Sequence, residues 1–412
     1  MARKVFISFL GTSHYDEGRY TRGSFISDKT RFIQIATLQF LQNIEKWNSG
    51  DKCIILLTKS AKDSNWVDKG SFRGKTHEYD GLHTELHRLN LPIEICPLEG
   101  IPDGNNEVEV LEIFSKLFNE LRDHDELYFD VTHGFRSLPM LAIVLGNYTK
   151  FLKDATVKSI TYGNWEARQE DTAPIVDLQI LSSLQDWTFA AADYIENGNA
   201  SQLSKLSVTE ANQLAELLIK FTEDMQLCRG LNIVRSDTIK KISTTLNGFE
   251  EKAPIAPIIG KIRAHIKAFE KTEDNAISIK NGFVAAKWCY EHGMYQQAAT
   301  ILEENVVTFF CLRHNIKIED ERRRPRINKV MNIAYRNLEE SKWEGSDQEK
   351  IYFAQILEDD FFTNIEMLKR FDKLTKFRND INHSGMRNKP QEANELKEEI
   401  NSLITYFSEL LQ

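Results

Sequence analysis

The stretch Leu127-Tyr-Phe-Asp130-Val-Thr-His-Gly-Phe-Arg136-Ser-Leu-Pro139 joins a short apolar run to a polar turn that contains glycine, and a helical pattern follows at once. We interpret Leu127 to Val131 as a buried strand and the pattern near 137 to 153 as the next helix. Such a turn presents free backbone N–H groups and the positive end of a helix dipole, which suit an anionic phosphate. The stretch therefore predicts one strand-to-helix unit of an α/β domain.

The same alternation of strand and helix patterns extends over residues 1–180. The further strand candidates are Val5 to Leu10, Cys53 to Thr58, Ile93 to Leu98 and Val157 to Tyr162. Helical patterns lie between them near 30–47, 78–90 and 107–122. This order predicts a mostly parallel sheet with helices on both faces and a ligand site beyond the carboxyl ends of the strands.

From about Leu181 the strand-like runs disappear, and we expect an all-helical second half. The candidate helices are Leu184 to Glu196, Val208 to Cys228, Pro254 to Glu270, Ile277 to His292, Tyr295 to Arg313, Ile327 to Glu340, Glu349 to Ile381 and Gln391 to Leu411. Breaks are expected at Gly282, Gly293, Gly345 and Gly385. The predicted division is 1–180 for the α/β domain, 181–280 for a helical connector and 281–412 for a helical domain.

Composition narrows the function classes. The chain has 412 residues and a formal net charge of −9, which argues against stable binding to long DNA because that mode needs many phosphate neutralisations. Five widely spaced cysteines suggest neither a disulfide framework nor a zinc site and favour a reducing cytoplasm. Apart from the run in the first strand, the longest apolar run is Leu138 to Leu145, which is shorter than the roughly 20 residues of a membrane span. We therefore expect no membrane association.

Two loops are candidates for ligand binding. The turn after Asp130 carries hydrogen-bonding groups, a glycine that permits close backbone approach, and Arg136, which can pair with a phosphate. The loop Gly11-Thr-Ser-His-Tyr15 follows the first strand and supplies small hydroxyl groups. In a doubly wound sheet these two loops are expected to line one cleft. The alternative is structural, with Asp130 holding its own turn, Gly134 reversing the chain and Arg136 solvated.

The string D-x-T-H-G, followed here by F-R-S-L-P, resembles the motif of a family of CRISPR-associated proteins named for it, and G-T-S-x-Y resembles the opening of the same family. Its members carry a Rossmann-like CARF domain that dimerises and binds cyclic oligoadenylate. The resemblance implies a homodimer that holds the ring across its two-fold axis. The implied ligand-binding residues are Gly11, Thr12, Ser13, Tyr15, Asp130, Thr132, His133, Gly134, Phe135 and Arg136.

The segment Lys59 to Tyr79 interleaves aromatic, basic and glycine residues. A lid that stacks on adenine is one interpretation of this pattern. We favour an exposed surface loop.

Near the C-terminal end, Lys376-Phe-Arg378-Asn379-Asp-Ile-Asn-His383-Ser-Gly385 places an arginine five positions before a histidine. Histidine can move protons near neutral pH, and arginine can stabilise charge that develops on phosphorus, so the two suit RNA cleavage without a metal. On an ideal helix the two side chains point roughly 140° apart, which favours a site built from two chains. The structural alternatives are a salt bridge of Arg378 to a neighbour such as Asp380 and a capping cation at His383.

R-N-x-x-x-H resembles the signature of HEPN ribonucleases, which are helical and form a composite site at a dimer interface, and the segment Tyr295 to Asn305 resembles their first helix. The resemblance implies that Arg378, Asn379 and His383 are catalytic. The sequence thus predicts a Rossmann-like CARF domain followed by an all-α HEPN domain. The expected function is metal-independent cleavage of single-stranded RNA in type III CRISPR defence. By the same resemblance, the first candidate for the allosteric activator is cyclic tetra-adenylate and the second is cyclic hexa-adenylate. The cleaved RNA is expected to carry a 2′,3′-cyclic phosphate and a 5′-hydroxyl end.

Other hypotheses stay open. The same sensor domain could serve a transcription regulator without ribonuclease activity, or a ring nuclease that degrades its own activator through Thr12, Ser13, Thr132 or His133. His83 and His87 are four positions apart, as in some zinc sites, but the sequence offers no evident third ligand. The cluster Arg322-Arg-Arg-Pro-Arg326 either steers RNA or is a solvated connector.

Overall fold

The structure is a computed structural model that describes residues 2–133, 138–206, 212–249, 254–269, 276–386 and 388–411. The chain divides into two compact units, Met1–Ser183 and Leu184–Gln412. An α/β unit followed by a helical unit confirms the predicted order of fold classes. The further division of the helical half at residue 280 stays a prediction.

The first unit contains an eight-stranded mixed sheet with the order β3-β2-β10-β9-β8-β1-β4-β7. The strands of this sheet are β1 Lys4–Phe9, β2 Arg19–Arg22, β3 Phe25–Ile26, β4 Lys52–Leu56, β7 Glu94–Leu98, β8 Glu126–Asp130, β9 Thr156–Gly163 and β10 Thr172–Asp177, and a separate hairpin pairs β5 Ser71–Phe72 with β6 Lys75–Thr76. Five neighbouring strands of the sheet are parallel, as predicted, namely β9, β8, β1, β4 and β7. Strand β10 pairs with β9 in the antiparallel sense.

Apolar side chains on both faces of the central strands explain why these strands are buried. Phe6 and Ile7 are adjacent in β1 but pack in different apolar clusters, because successive side chains of a strand point to opposite faces. The helices of this unit are α1 Ile33–Ile44, α2 Lys59–Ala61, α3 Leu82–Arg88, α4 Glu107–Glu120 and α5 Leu138–Lys153. Helices α1 and α3 cover one face and α4 and α5 the other, so the predicted three-layer arrangement is confirmed.

Helix α6 (Gln179–Asn197) leads into the second unit, whose further helices pack around one apolar cluster. They are α7 Asn212–Gln226, α8 Gly230–Arg235, α9 Asp237–Asn247, α10 Ala256–His265, α11 Ile279–Glu291, α12 Tyr295–Arg313, α13 Arg324–Arg336, α14 Asp347–Leu357, α15 Ile365–Asn382 and α16 Ala393–Leu410. None of the helices in the described ranges is both long and apolar enough to cross a membrane.

Two predictions for the helical half were wrong. The expected helix from Glu349 to Ile381 is two helices, because Asp359 caps a short 3₁₀ turn and Asn364 caps the start of α15 through the amide of Met367. Gly282 does not break a helix but lies inside α11. A Cβ there would stand 1.9 Å from Oδ1 of Asn305 on α12, so the glycine permits the close approach of the two helices.

Candidate functional site

The carboxyl ends of β1 and β8 bring the two predicted loops together. The strands are parallel neighbours, with Ser8 opposite Asp130 in the register. The rings of Tyr15 and His133 then stack across the gap between the loops, with centroids 4.4 Å apart and planes inclined by 26°. Gly11 lies beneath this pair, where a Cβ would stand 2.5 Å from the Tyr15 hydroxyl oxygen. The predicted adjacency of the two loops is therefore present in the fold.

Asp130 is 1% exposed and holds the turn that follows β8. Its carboxylate accepts hydrogen bonds from Ser8 Oγ (2.7 Å) and Thr132 Oγ1 (2.5 Å). Thr132 Oγ1 in turn accepts from the amide of Gly163 at 2.8 Å. Burial raises the pKa of Asp130 to about 6, against the lowering effect of both hydroxyl donors. These contacts match the structural alternative for Asp130, and a direct contact of this carboxylate with ligand stays a prediction.

His133 lies in a low-polarity environment that lowers its pKa to about 4, so its ring is neutral at pH 7. Its Nε2 is shielded from solvent and has no hydrogen-bond partner in the described part of the chain. Burial also raises the pKa of the Tyr15 phenol. The pair thus offers neutral, stackable surfaces and an unused ring nitrogen rather than a positive charge.

The segment after β4 supplies a residue that the sequence analysis missed. Asn65 is fully buried, and its Nδ2 donates to the carbonyl oxygens of Gly11 and Ser13, both at 2.9 Å. Its Oδ1 accepts from the hydroxyl of Tyr79 at 3.0 Å. Arg31 donates to the carbonyl oxygen of Tyr15 at 3.0 Å. Asn65 and Arg31 therefore fix the backbone of the first loop from two sides.

The expectation of an exposed loop over Lys59 to Tyr79 was wrong in part. Trp66 is buried in a π-helical turn, and His77 is buried beside Tyr79, with ring centroids 4.8 Å apart. His14 of the first loop contacts His77, with their Nδ1 atoms 3.3 Å apart. Most lysines and arginines of the segment are exposed as expected, namely Lys59, Lys69, Arg73 and Lys75, whereas Lys62 is half-buried.

The remaining predicted residues of this site divide into two groups. Thr12 and Ser13 lie in the first loop, where the carbonyl of Ser13 is held by Asn65 and both residues are accessible to solvent. Gly134, Phe135 and Arg136 lie outside the described residues.

The second candidate site lies at the end of α15 in the helical unit. Arg378 donates from Nε to Glu303 Oε2 at 2.9 Å and from Nη2 to Glu303 Oε1 at 2.7 Å. The carboxylate belongs to α12 and its side chain is 4% exposed, whereas that of Arg378 is 30% exposed. These hydrogen bonds raise the pKa of the guanidinium above its already high value. The ion pair agrees with the structural alternative for Arg378, although the acid is Glu303 of α12 and not the neighbouring Asp380.

His383 follows α15 directly and is exposed. Its amide donates to the carbonyl oxygen of Asn379 at 3.0 Å and completes the last turn of the helix. Asp380, three positions earlier, is buried and accepts from the amide of Gln391 at 3.3 Å. The helix end is therefore anchored by its backbone and by Asp380, while the His383 imidazole extends into solvent.

Arginines of the basic cluster Arg322 to Arg326 take part in ion pairs. In the basic cluster, Arg323 pairs with Asp320 (3.7 Å), and the other ion pairs are Arg324–Glu304 (2.7 Å) and Arg326–Glu349 (3.3 Å). Much of the positive charge is therefore neutralised. Among the described residues, no group of three or more His, Cys, Asp and Glu side chains is arranged to hold a metal ion.

A largely parallel three-layer α/β domain with polar loops at the carboxyl ends of its central strands defines the class of Rossmann-like ligand-binding domains. Within that class, residues 5–166 match the family described as "CRISPR system endoribonuclease Csx1, CARF domain". The matched residues cover most of the N-terminal unit, which is thus similar to a CARF domain, and the helical unit lies beyond them.

Two relatives extend the comparison. The CRISPR-associated protein MJ1674 of Methanocaldococcus jannaschii is 27% identical over 210 residues, which are 50% of this chain and 32% of that protein. The match thus spans about a third of the relative's length. The structure of Enterococcus italicus Csm6 bound to cyclic hexa-2′-fluoro-hexa-dAMP aligns over 100% of this chain and 94% of that chain, with 10% identity and a TM-score of 0.44.

Proposed function

We propose that this chain is a ribonuclease that cyclic oligoadenylate switches on, with the ligand site on the CARF domain and the cleavage site at the end of α15. The observation that carries the ribonuclease assignment is an arginine fixed by a buried carboxylate on the same helix end as a solvent-exposed histidine. The two side chains supply a fixed cation and an imidazole that can accept or donate a proton.

The CARF edge suits a nucleotide ring for electrostatic and geometric reasons. We expect backbone groups of Gly11, Thr12 and Ser13 and of the turn that begins at Thr132 to bind phosphates. The rings of Tyr15 and His133 provide stacking surfaces for adenine. Because His133 is neutral at pH 7, its ring contributes a stacking surface rather than a positive charge. Cyclic tetra-adenylate is the first candidate activator, and cyclic hexa-adenylate the second.

The proposed cleavage needs no metal. The 2′-oxygen of the RNA attacks the adjacent phosphorus and the bond to the 5′-oxygen breaks, which leaves a 2′,3′-cyclic phosphate and a 5′-hydroxyl. His383 transfers the proton, taking it from the 2′-hydroxyl or giving it to the leaving oxygen, and Arg378 stabilises the charge on the phosphate. Asn379 lies beside Arg378 and provides an amide within the same turn. Two chains supply two such sets of residues, so that one histidine acts as base and the other as acid.

A homodimer is part of the proposal, and an exposed apolar surface supports it. Phe151 on α5 is 85% exposed, an unusual state for a phenylalanine. We define the α4–α5 face by its exposed members, which are Val108, Leu111, Met140, Val144, Tyr148, Phe151 and Leu152. Seven large apolar side chains exposed on two packed helices exceed the single scattered apolar residues of an ordinary surface, and such patches are typical of interaction sites. A second copy of the α4–α5 face is the proposed partner.

The dimer is tested by Val144→Glu, which inserts a charge into the α4–α5 face. We expect the dimer dissociation constant from sedimentation to rise at least tenfold. Ile351→Glu is the matched control, because Ile351 is also exposed but lies on α14. An unchanged dissociation constant for Val144→Glu contradicts the assignment of this face.

The activity is tested by cleavage of a fluorescent single-stranded RNA in EDTA, with cyclic tri-, tetra- and hexa-adenylate added separately. We expect one ring to activate the wild type and none to activate His383→Ala. Met386→Ala is the control, since Met386 lies in the same turn, is 86% exposed and does not titrate. If no ring activates cleavage, or if His383→Ala cuts equally well, the ribonuclease assignment fails and a sensor without ribonuclease activity becomes the better hypothesis.

A further inference from the structure

The contact between Arg378 and Glu303 uses one particular edge of the guanidinium. Nε and Nη2 both donate to Glu303, so the carboxylate binds the side of the group. The opposite edge, formed by Nη1 and the second Nη2 hydrogen, has no hydrogen-bond partner in the described part of the chain. A guanidinium carries five N–H donors in a rigid plane, so fixing one edge also fixes the direction of the other.

We infer that Glu303 is a positioning residue for RNA cleavage, which holds Arg378 by its side edge and directs the free edge toward the scissile phosphate. This inference rests on the proposed ribonuclease function. Bidentate pairing with two phosphate oxygens is favoured when that free edge is already aligned, because fixing a mobile arginine costs conformational entropy.

Burial supports a positioning role over a surface ion pair. Glu303 lies among Leu302, Val306 and Val307, all buried, on a helix that packs against α11, α15 and α16. A carboxylate in such surroundings carries a desolvation cost that an apolar pair would avoid. Arg378 is the partly exposed member, so the anchored end is the acid and the accessible end is the cation.

The next residue along α12 offers an internal comparison. Glu304 pairs with Arg324 of α13, whose Nη2 also donates to the Glu304 carbonyl and to Thr308 Oγ1. Arg324 is thus held by three acceptors of α12, in an arrangement that braces two helices. Arg378 is held by a single carboxylate that leaves the phosphate-facing edge open. Glu304→Gln is therefore the matched control for Glu303→Gln.

The expected effect falls on kcat. Glutamine offers one acceptor and sets its NH₂ against the second guanidinium donor, so the plane of Arg378 turns. We expect Glu303→Gln to lower the activator-saturated kcat at least tenfold, with KM within about threefold of the wild type, since a misplacement of about 1 Å can cost a hundredfold in rate. Glu303→Asp keeps a carboxylate on a shorter side chain, so its kcat is expected to lie between those of the wild type and Glu303→Gln. Glu304→Gln is expected to keep kcat within about twofold.

A mutant cycle with Arg378→Lys separates positioning from general damage. A lysine ammonium has no planar edge to orient, so Glu303→Gln is expected to change kcat by less than about threefold in the Arg378→Lys background. An equal loss in both backgrounds, a loss with Glu304→Gln of the same size, or an unchanged kcat for Glu303→Gln each overturns the inference.

A readout without RNA keeps the inference testable if no cyclic oligoadenylate activates the wild type. In protein labelled with ¹⁵N-arginine, the Nε–H signal of Arg378, assigned with Arg378→Lys, is expected to exchange slowly with water. Glu303→Gln is expected to broaden or remove that signal, and Glu304→Gln to leave it in place. A signal unaffected by Glu303→Gln refutes the positioning role, whereas inactive wild type with a protected signal refutes the ribonuclease function alone.

Discussion

Replacing Arg378 by alanine removes the cation that neutralises a carboxylate buried to 96%, since the side chain of Glu303 is 4% exposed. Removing one partner of a buried ion pair typically costs 3–5 kcal/mol, because an uncompensated charge stays in the interior. Water reaches this pair through Arg378, whose side chain is 30% exposed, so we expect the lower end, about 3 kcal/mol. For the second unit, Leu184–Gln412, this corresponds to a fall in Tm of about 6–12 °C.

The measurement is calorimetric unfolding of Arg378→Ala beside His383→Ala. Because the His383 imidazole is exposed and its amide makes the capping hydrogen bond, His383→Ala is expected to change the free energy of unfolding by less than about 0.5 kcal/mol. The double variant Glu303→Gln with Arg378→Gln is expected to recover part of the loss, since no charge remains unpaired. A Tm of Arg378→Ala within 2 °C of the wild type refutes this reasoning. The consequence for enzymology is that loss of activity in Arg378→Ala mixes chemistry with stability, whereas loss in His383→Ala does not.

Three further predictions concern the loops and the helix packing. The raised pKa of Asp130, about 6, makes its contribution to the free energy of unfolding fall as pH rises from about 4 to 6, whereas the lowered pKa of His133, about 4, makes its contribution rise from about 4 to 6.5. Because the two contributions have opposite slopes, the free energy of unfolding in urea is expected to rise more steeply with pH in Asp130→Asn and to fall more steeply in His133→Gln than in the wild type. If the pH profiles of both variants are parallel to that of the wild type, the assignment of these two pKa shifts is wrong. Gly282→Ala is expected to lower the free energy of unfolding, measured with denaturant, by about 1–3 kcal/mol, and adding Asn305→Ala is expected to recover part of that loss. An unchanged free energy of unfolding for Gly282→Ala contradicts the close approach of the two helices. Asn65→Ala releases two carbonyls of the first loop and is expected to raise the activator concentration for half-maximal RNA cleavage about tenfold at unchanged maximal rate; an unchanged concentration means that Asn65 does not shape the ligand site.

The sequence predicted the parts of the fold that local pattern specifies. The apolar runs of β1, β4 and β8 are buried on both faces, so their composition alone indicates strands. The short strands β2 and β3 gave no comparable signal, because β2 is four residues long with an arginine at each end. The split between α14 and α15 was missed because the caps at Asp359 and Asn364 interrupt an otherwise helical composition.

The candidate sites show the same limit more sharply. Motif and strand order predicted that the loops after β1 and β8 meet, and they do, through Tyr15 and His133. Asn65 lies 54 and 52 positions from the carbonyls it holds, and Glu303 lies 75 positions from Arg378. No local periodicity relates residues so far apart, because their contact is created by tertiary packing. The residues that position a site were therefore the ones that the sequence did not reveal.

The place of β1 in the sheet has a consequence for synthesis. β1 is paired on one side with β4 and on the other with β8, whose Asp130 lies 122 positions after Ser8. At a translation rate of about 5–20 residues per second, roughly 6 to 25 s pass before the second neighbour of this strand has been made. During that time an apolar strand destined for the interior has an open edge that any other extended segment can join. The nascent chain, more than the finished domain, is thus the species most prone to aggregate, and chaperones that shield its first residues have the most to protect.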